Sequence, residues 1–507
     1  MAEKLIRNTF SSAVGYGVTL AVGLLLAPYM LAKLGAEQFG LWIILAVVTS
    51  YFGLLDLGVG ASFIKHLTEA HTLDQRRRLN EIMATGWLFY LLFSLLIVAA
   101  GAAARDPILG LLSIEGDVAF IYAGTLAIFA VRSTFQIYRS MLYALQRLDA
   151  LNLIEIATGL FNAAATIAAL AAGYGLRGVV TAALGTAIVH VSAEAIMAHR
   201  LCPGLTISPR RANLAVFRSL FRYGVQLQAS RCAELIHLHV DKLLLSHVVG
   251  LTQVTMYELG AKVAGLTRSF PTVLLPAILP AASALEAQRN RADLLRLYER
   301  GSKYLVGLAL PLAVFTVVSA QAIIDLWLGP GEFGGAVLAV RALAAAYLFH
   351  LLTGMGLAIA RGIGVVQYEM RALTVSAALN AGASALLVTR FGLTGVLAAT
   401  VVSTIVGYAL FMRALHGFLE RSFIAFARRV YALPAAGSAA AAAAILSLGY
   451  PAGLLGAQPS RGAALLALAV SGALFFSIYG AILLRARYIA WSEWSLVRKA
   501  LATSSRP

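Results

Sequence analysis

Apolar runs of about twenty residues follow one another from end to end of this 507-residue chain. About twenty apolar residues are what a helix needs to cross the hydrocarbon of a bilayer, and a barrel strand needs only about 9–11. No water reaches that depth, so each segment has to satisfy its own backbone groups, and helices joined by short connections are expected. The composition agrees: 60% of the residues are hydrophobic and 12% charged, against about 25% charged in soluble proteins. No polar stretch is long enough to make a separate soluble domain. The net charge of +17 would suit nucleic acid, but the basic residues are spread singly over short loops. Scattered in this way they read as topogenic charge beside an anionic leaflet, with no nucleic-acid partner. Cys202 and Cys232 supply neither a disulfide framework nor a metal cluster. Lys4 and Arg7 precede an apolar run that continues to about Leu31. That run is too long for a signal peptide, so it is expected to stay as the first span.

The pattern predicts about fourteen transmembrane helices, near 9–31, 39–61, 81–103, 117–139, 151–173, 177–198, 223–249, 255–280, 304–328, 337–361, 371–390, 394–413, 430–450 and 463–484. With the N-terminus in the cytoplasm, 29 of the 40 Lys and Arg residues fall in inside segments, and only Lys33, Arg105, Arg177, Arg390 and Arg461 fall outside. An excess that alternates at every loop sets the orientation, with both termini cytoplasmic. Trp42 and Trp327 sit at span ends, as interfacial anchors do. The tail 485–507 carries Trp491, Trp494, Val497 and Leu501 among basic residues and is expected to lie on the inner leaflet as an amphipathic helix.

The sequence also repeats. LGAEQFGLW at 34–42 returns as VGLTQVTMY at 249–257, and YGLRGVVTAA at 174–183 returns as FGLTGVLAAT at 391–400. The spacings, 215 and 217 residues, nearly agree. They predict a duplicated six-helix bundle, 1–215 and 216–429, with two extra helices in 430–484. Six is an even number, so the two bundles keep one orientation, as in parallel-repeat transporters whose substrate site lies between the repeats near the midplane. The most highly charged pair of spans opens the second bundle, between Phe221 and Ser283. It holds Arg231, Glu234, His237, His239, Asp241 and Lys242, then Glu258, Lys262 and Arg268. Ionisable groups at membrane depth are costly and mark a functional site by default.

The motif LG-x-x-x-FG-x-W followed by YFGLLDLGVG, from Leu34 to Gly60, resembles bacterial polysaccharide flippases of the multidrug/oligosaccharidyl-lipid/polysaccharide exporter superfamily. The stretch DKLLLSHVVG…YELGAKVAG, Asp241 to Gly265, is similar to the start of that family's second bundle, and the paired GLxGV segments fit too. The resemblance covers spans one to twelve. It implies transport of undecaprenyl-diphosphate-linked oligosaccharide (an O-antigen-type glycan) from the inner to the outer leaflet of the cytoplasmic membrane by alternating access. The implied setting is surface polysaccharide biosynthesis, alongside other polysaccharide assembly proteins. Residues 10–32 carry no charge. The lipid II branch has arginines there and the multidrug branch often an acidic residue, so the polysaccharide branch is favoured. The alternatives are a cation-coupled drug or small-molecule antiporter of the same fold and a membrane glycan polymerase or ligase. No outer connection is long enough to suit such an enzyme.

Carrying a diphosphate through hydrocarbon calls for cationic donors, and the planar fork of arginine suits phosphate. Arg132, Arg231 and Arg268 fall near midspan and are the candidate substrate-binding residues. Arg231 can equally pair with Glu234 one turn away. Arg231, Glu234, His237 and Asp241 form one stripe suited to proton or sodium coupling or to a structural polar seam. Glu258 and Lys262 stand at ion-pair spacing. Asp56 in LLDLG is a gating or packing candidate, so the coupling or gating set is Glu234, His237, Asp241, Lys262 and Asp56. His190 with Glu194, and His350, read as lone packing groups. No Walker A, GxSxG or HExxH motif is present, so no cofactor, metal or catalytic residue is expected. The orientation has a direct check. Single cysteines at 75 and 115 in intact cells should react with an impermeant thiol reagent at 115 only, and labelling at 75 alone would invert the topology.

Overall fold

The computed structural model describes residues 2–54, 59–111, 118–218, 240–272, 275, 278–331, 333–447 and 460–488. These residues form helices with no strand among them, as the backbone requirement in hydrocarbon dictates. They make two compact units, Met1–Thr255 and Met256–Pro507.

The first unit contains α1 (Ala2–Leu54), α2 (Val59–Thr72), α3 (Arg76–Ala103), α4 (Arg105–Leu111), α5 (Ala119–Thr134), α6 (Gln136–Ala144), α7 (Leu148–Ala171) and α8 (Gly175–Leu201). Residues 240–248 are also helical. α1 is two helices run together at Gly35, whose φ of 77° breaks the helical path. α5 breaks at Phe135 and continues as α6, so the span expected to end at 139 reaches Ala144. Phe63, Met83, Ile137, Met141 and Leu142 fill a core between α2, α3, α6 and α7.

The second unit contains α9 (Leu251–Thr272, whose first turn belongs to the first unit), α10 (Ile278–Ala287), α11 (Arg291–Val318), α12 (Ala320–Leu328), α13 (Gly334–Gly362), α14 (Gln367–Phe418), α15 (Phe423–Val430), α16 (Ala432–Ser447) and α17 (Arg461–Arg485). α14 is again two helices, joined at Gly392 with φ 55°. A left-handed φ at such a break is a position that glycine fills without steric penalty. The core here is built from Leu305, Ile359, Phe411, Met412 and Leu415. Phe475 and Tyr479 of α17 pack with Ala441 and Ile445 of α16, and the Tyr479 hydroxyl donates to the Gly307 carbonyl at 2.7 Å.

Nine helices among the described residues are long and apolar enough to cross a membrane, or ten if the bent pair α15–α16 makes one span. The difference from about fourteen has three sources. Adjacent spans merge through Gly35 and Gly392, most of the expected span 223–249 lies outside the described residues, and α9, at the expected span 255–280, is not among the helices apolar enough to count.

The spatial division falls at Thr255 rather than near 215 because the start of α9 is bound to α1. Thr255 Oγ1 donates to the Ala36 carbonyl at 2.6 Å, and a Cβ at Gly40 would sit 2.2 Å from the Leu251 carbonyl oxygen. These four residues belong to the two copies of the repeated motif. Left-handed backbone recurs with the repeat: Gly35 and Gly250, Asp74 and Arg289, and Gly175 and Gly392 are the pairs, at spacings of 215, 215 and 217.

Close helix approach through small residues holds membrane helices together. In the second unit α9 touches α13 where a Cβ on Gly260 would lie 2.3 Å from the Ala339 Cβ and 2.9 Å from the Val340 nitrogen. Backbone cannot move aside there. Gly260→Ala should lower stability by about 1–3 kcal/mol, the cost of an overpacked contact. Gly382→Ala, with open space around it, should cost nothing. Unfolding midpoints of the purified protein in detergent would compare the two.

Candidate functional site

The densest polar constellation among the described residues of the first unit lies between α6, α7 and α8. Three rungs join α7 to α8. Glu155 faces Glu194 through Arg139, Thr158 meets His190, and Asn162 meets Thr186. The spacings explain the register: 155, 158 and 162 share one face of α7, and 186, 190 and 194 share one face of α8. The two helices are joined by a short turn at 172–174, so the stripes run antiparallel and meet.

Arg139 enters from α6. Its Nη2 donates to Glu155 Oε1 in a short ion pair, and its Nη1 lies 3.5 Å from Glu194 Oε1. The Glu194 side chain is only 3% exposed, too buried to hold a charge without a partner. The same Glu194 oxygen stands 3.1 Å from His190 Nε2. On the other edge of the ring, His190 Nδ1 is 2.9 Å from Thr158 Oγ1. Thr158 Oγ1 also lies 2.7 Å from the Ile154 carbonyl, to which it donates.

Those distances constrain the protons. A hydroxyl has one proton. If Thr158 gives it to Ile154, Thr158 can only accept from His190, so Nδ1 carries hydrogen. His190 Nε2 then faces a carboxylate oxygen. That contact needs one more proton, either on the ring as imidazolium or on Glu194 as the acid. Alternatively Thr158 turns toward Nδ1 and releases the Ile154 carbonyl, and the neutral ring donates through Nε2. Two arrangements that differ by one proton thus fit the same heavy-atom distances. Arg132, on α5 seven residues before Arg139, is within electrostatic range of Arg139, Glu155 and Glu194. Its own side chain is exposed.

The second half contains the corresponding hairpin, the two parts of α14, and treats these positions differently. At the 217-residue spacing Glu155, His190 and Glu194 become Ala372, Gly407 and Phe411. There a Cβ on Gly407 would lie 2.9 Å from Ser376 Cβ, Ser376 Oγ donates to the Ser403 carbonyl at 2.8 Å, and Phe411 is buried in the core. A hairpin of this shape therefore closes without charges.

The sequence matches the family described as "Polysaccharide biosynthesis protein" over residues 30–331. The chain belongs to that family. Among individual members of the wider group, it is 20% identical over 332 residues to a Shigella flexneri protein named "Putative O-antigen transporter", covering 64% of this chain and 77% of that one. It is 22% identical over 418 residues to a Haloferax volcanii protein named "Probable flippase", covering 80% and 83%. Among solved structures it shares its fold with the lipid II flippase MurJ in an inward closed conformation, at a TM-score of 0.68 and 13% identity over 95% of this chain and 99% of that one. An inward-facing multidrug resistance transporter of the MATE family gives a TM-score of 0.59 at 14% identity, over 80% and 95%.

For this member of the polysaccharide biosynthesis family, the residues singled out in the sequence distribute as follows. Arg231, Glu234, His237 and Asp56 lie outside the described residues. Asp241 is fully buried in the helical stretch 240–248. Lys262 Nζ is 3.6 Å from Glu258 Oε1, an ion pair one turn along α9. Arg268, half-buried, places its guanidinium 5.1 Å from the centre of the Tyr347 ring on α13. An aromatic face leaves the charge of arginine available to an anion, since it supplies no counter-charge of its own.

His190 and Glu194 are not the lone packing groups that their sequence context suggests. Their partners, Thr158 and Arg139, come from other helices. Arg139 is the residue most easily misread, because a helix boundary placed at 139 turns a half-buried ion-pair partner into a loop charge. The usable signal is its spacing of seven from Arg132, two helical turns on the same face. Removing Arg139 alone takes the cation from Glu155 and leaves the buried Glu194 with only His190. Because Arg139 and Glu155 are 33% and 38% exposed, Arg139→Gln should lower stability by about 1–2 kcal/mol, less than breaking a fully buried pair. Adding Glu194→Gln should recover part of it. Thermal unfolding of both purified variants in detergent tests this, and a double variant no better than the single would contradict the pairing.

Proposed function

We propose that this protein is a flippase that carries undecaprenyl-diphosphate-linked oligosaccharide from the inner to the outer leaflet by alternating access, coupled to protonation of the His190–Glu194 pair. The family match and the names of its relatives support the transport of a lipid-linked glycan, and the fold is the one that a lipid II flippase uses. The observation that carries the coupling is the contrast between the two hairpins. α7 and α8 hold Glu155, His190, Glu194 and Arg139 in their seam, whereas the two parts of α14 close on Ala372, Gly407 and Phe411. The positions that carry charge in one copy are filled without charge in the other, which supports a role for the charges beyond holding the helices together. A seam that exchanges one proton changes its net charge by one, and a change of that size can bias two states of a bundle.

The duplication supports the same reading. We infer that 1–215 and 216–429 descend from one six-helix unit, with 430–484 added and both termini cytoplasmic. The recurrence of left-handed residues at spacings of 215 and 217, and the parallel starts of α3 at Arg76 and α11 at Arg291, are what such a history leaves behind. Arg132, Arg231 and Arg268 are assigned to the diphosphate by the chemistry of the guanidinium. Arg268 has the clearest support, because its neighbour is an aromatic ring. Asp241 and Lys262 retain a gating role, and Asp56, Glu234 and His237 are assigned to gating or coupling from sequence alone.

The test is glycan export in a bacterium lacking its own flippase for the same glycan. Wild-type protein should restore surface polysaccharide. Glu194→Gln and His190→Gln should each reduce export by about tenfold or more, within the range of a coupling free energy, while the protein remains inserted. Arg268→Ala should abolish export and Arg268→Lys should keep part of it. Full export in Glu194→Gln would remove the coupling role. Drug resistance conferred without any glycan export would replace the flippase reading with an antiporter.

A further inference from the structure

A recess of about 670 Å³ opens at the C-terminal end of α14, apart from every residue assigned above, with Tyr408, Met412, Arg413, His416, Arg421 and Phe423 among its lining. Its walls are mainly apolar, and its charge comes from two arginines. Arg413 and Arg421 are both exposed, and among the described residues neither guanidinium has an ion-pair partner. Glu420 also borders the recess, but its carboxylate reaches Arg291 at 3.8 Å. His416 forms part of the floor. It is 3% exposed, its Nε2 meets the Tyr298 hydroxyl at 3.1 Å, and its ring is held edge-on between Phe423 and Phe426 at 5.4 and 4.8 Å. Its Nδ1 is buried against the Arg421 main chain.

The surroundings of the recess indicate what kind of molecule would fill it. Close by in the chain, Leu410, Phe418 and Ile424 are 41%, 42% and 72% exposed. α15 turns buried Phe426 and Val430 inward, while Arg428 and Arg429 face out. Exposed apolar side chains interleaved with arginines at the end of a membrane span are the pattern of the headgroup–acyl boundary. A ligand there meets hydrocarbon on one side and two free guanidiniums on the other. A phosphodiester offers two acceptor oxygens to such a pair, and acyl chains would cover Phe418 and Ile424.

We propose that this recess binds the phosphate headgroup of an anionic membrane phospholipid, its acyl chains lying along the exposed face of α14 and α15. The proposal does not depend on the transported substrate. A free phosphate shares the same chemistry, so the experiment separates the two sources. The full-length protein in neutral detergent is titrated with phosphatidylglycerol, phosphatidylcholine or inorganic phosphate, followed by native mass spectrometry and thermal unfolding. Phosphatidylglycerol should give a retained adduct and raise the midpoint, and the other two should do neither at the same concentration. Arg413→Gln/Arg421→Gln should weaken phosphatidylglycerol binding by about tenfold or more, the loss expected for charge-assisted bonds to phosphate. Arg210→Gln/Arg218→Gln, which removes the same charge from exposed positions in the first unit, should not. Gly417 borders the recess with open space around its Cβ, so Gly417→Leu should block the lipid with every charge intact. Three results would overturn the site: unchanged binding in Arg413→Gln/Arg421→Gln, equal losses in the Arg210→Gln/Arg218→Gln control, or inorganic phosphate binding as well as phosphatidylglycerol does.

Discussion

Hydrocarbon offers a polar group no partner except another part of the protein, and the rest of this molecule follows from that constraint. It makes the backbone helical. It also requires that any charge at depth come with its counter-charge. Arg139 is the clearest case. One guanidinium on α6 answers Glu155 on α7 and Glu194 on α8, so three helices are fixed around a single cation. His190 and Thr158 then extend the seam along the α7–α8 face. The geometry is economical because the helices are antiparallel neighbours, which places residues of equal depth opposite one another.

The second half solves the same packing problem with small and apolar side chains. Gly407 occupies the position of His190 and settles against Ser376, and Phe411 occupies the position of Glu194. The pairing of charge in one half with its absence in the other means that the two hairpins pack in similar ways but carry different charge.

Much of this was legible in the sequence. The run lengths gave helices, and the YFGLLDLGVG motif gave the family that the match over 30–331 establishes. The pair Glu258–Lys262 was legible because both members lie on one helix, one turn apart. The seam was not. Its members are separated by 16 to 55 residues, and nothing along the chain shows which faces will meet. Arg139 shows the specific failure: a basic residue near the end of an apolar run looks the same whether it reaches for water or turns inward. The break at Phe135, which lets the helix continue inward as α6, has no proline or glycine to announce it. The unit boundary shifted for a related reason. Leu251 and Thr255 lie within the second repeat, and packing on Ala36 and Gly40 assigns them to the first unit.

The ion pair between Arg139 and Glu155 also bears on how the chain enters the membrane. An arginine or acidic residue in a span disfavours insertion by up to about 2.5–3.5 kcal/mol at the centre and by less toward the ends, where Arg139 and Glu155 lie. α6 and α7 carry one of each, with only residues 145–147 between them. A helix threaded alone would present its charge naked to lipid. Threaded as a hairpin, the two charges neutralise each other on the way in. The three-residue turn therefore does more than connect two helices: it keeps the two charges close enough during synthesis that neither has to face the bilayer by itself.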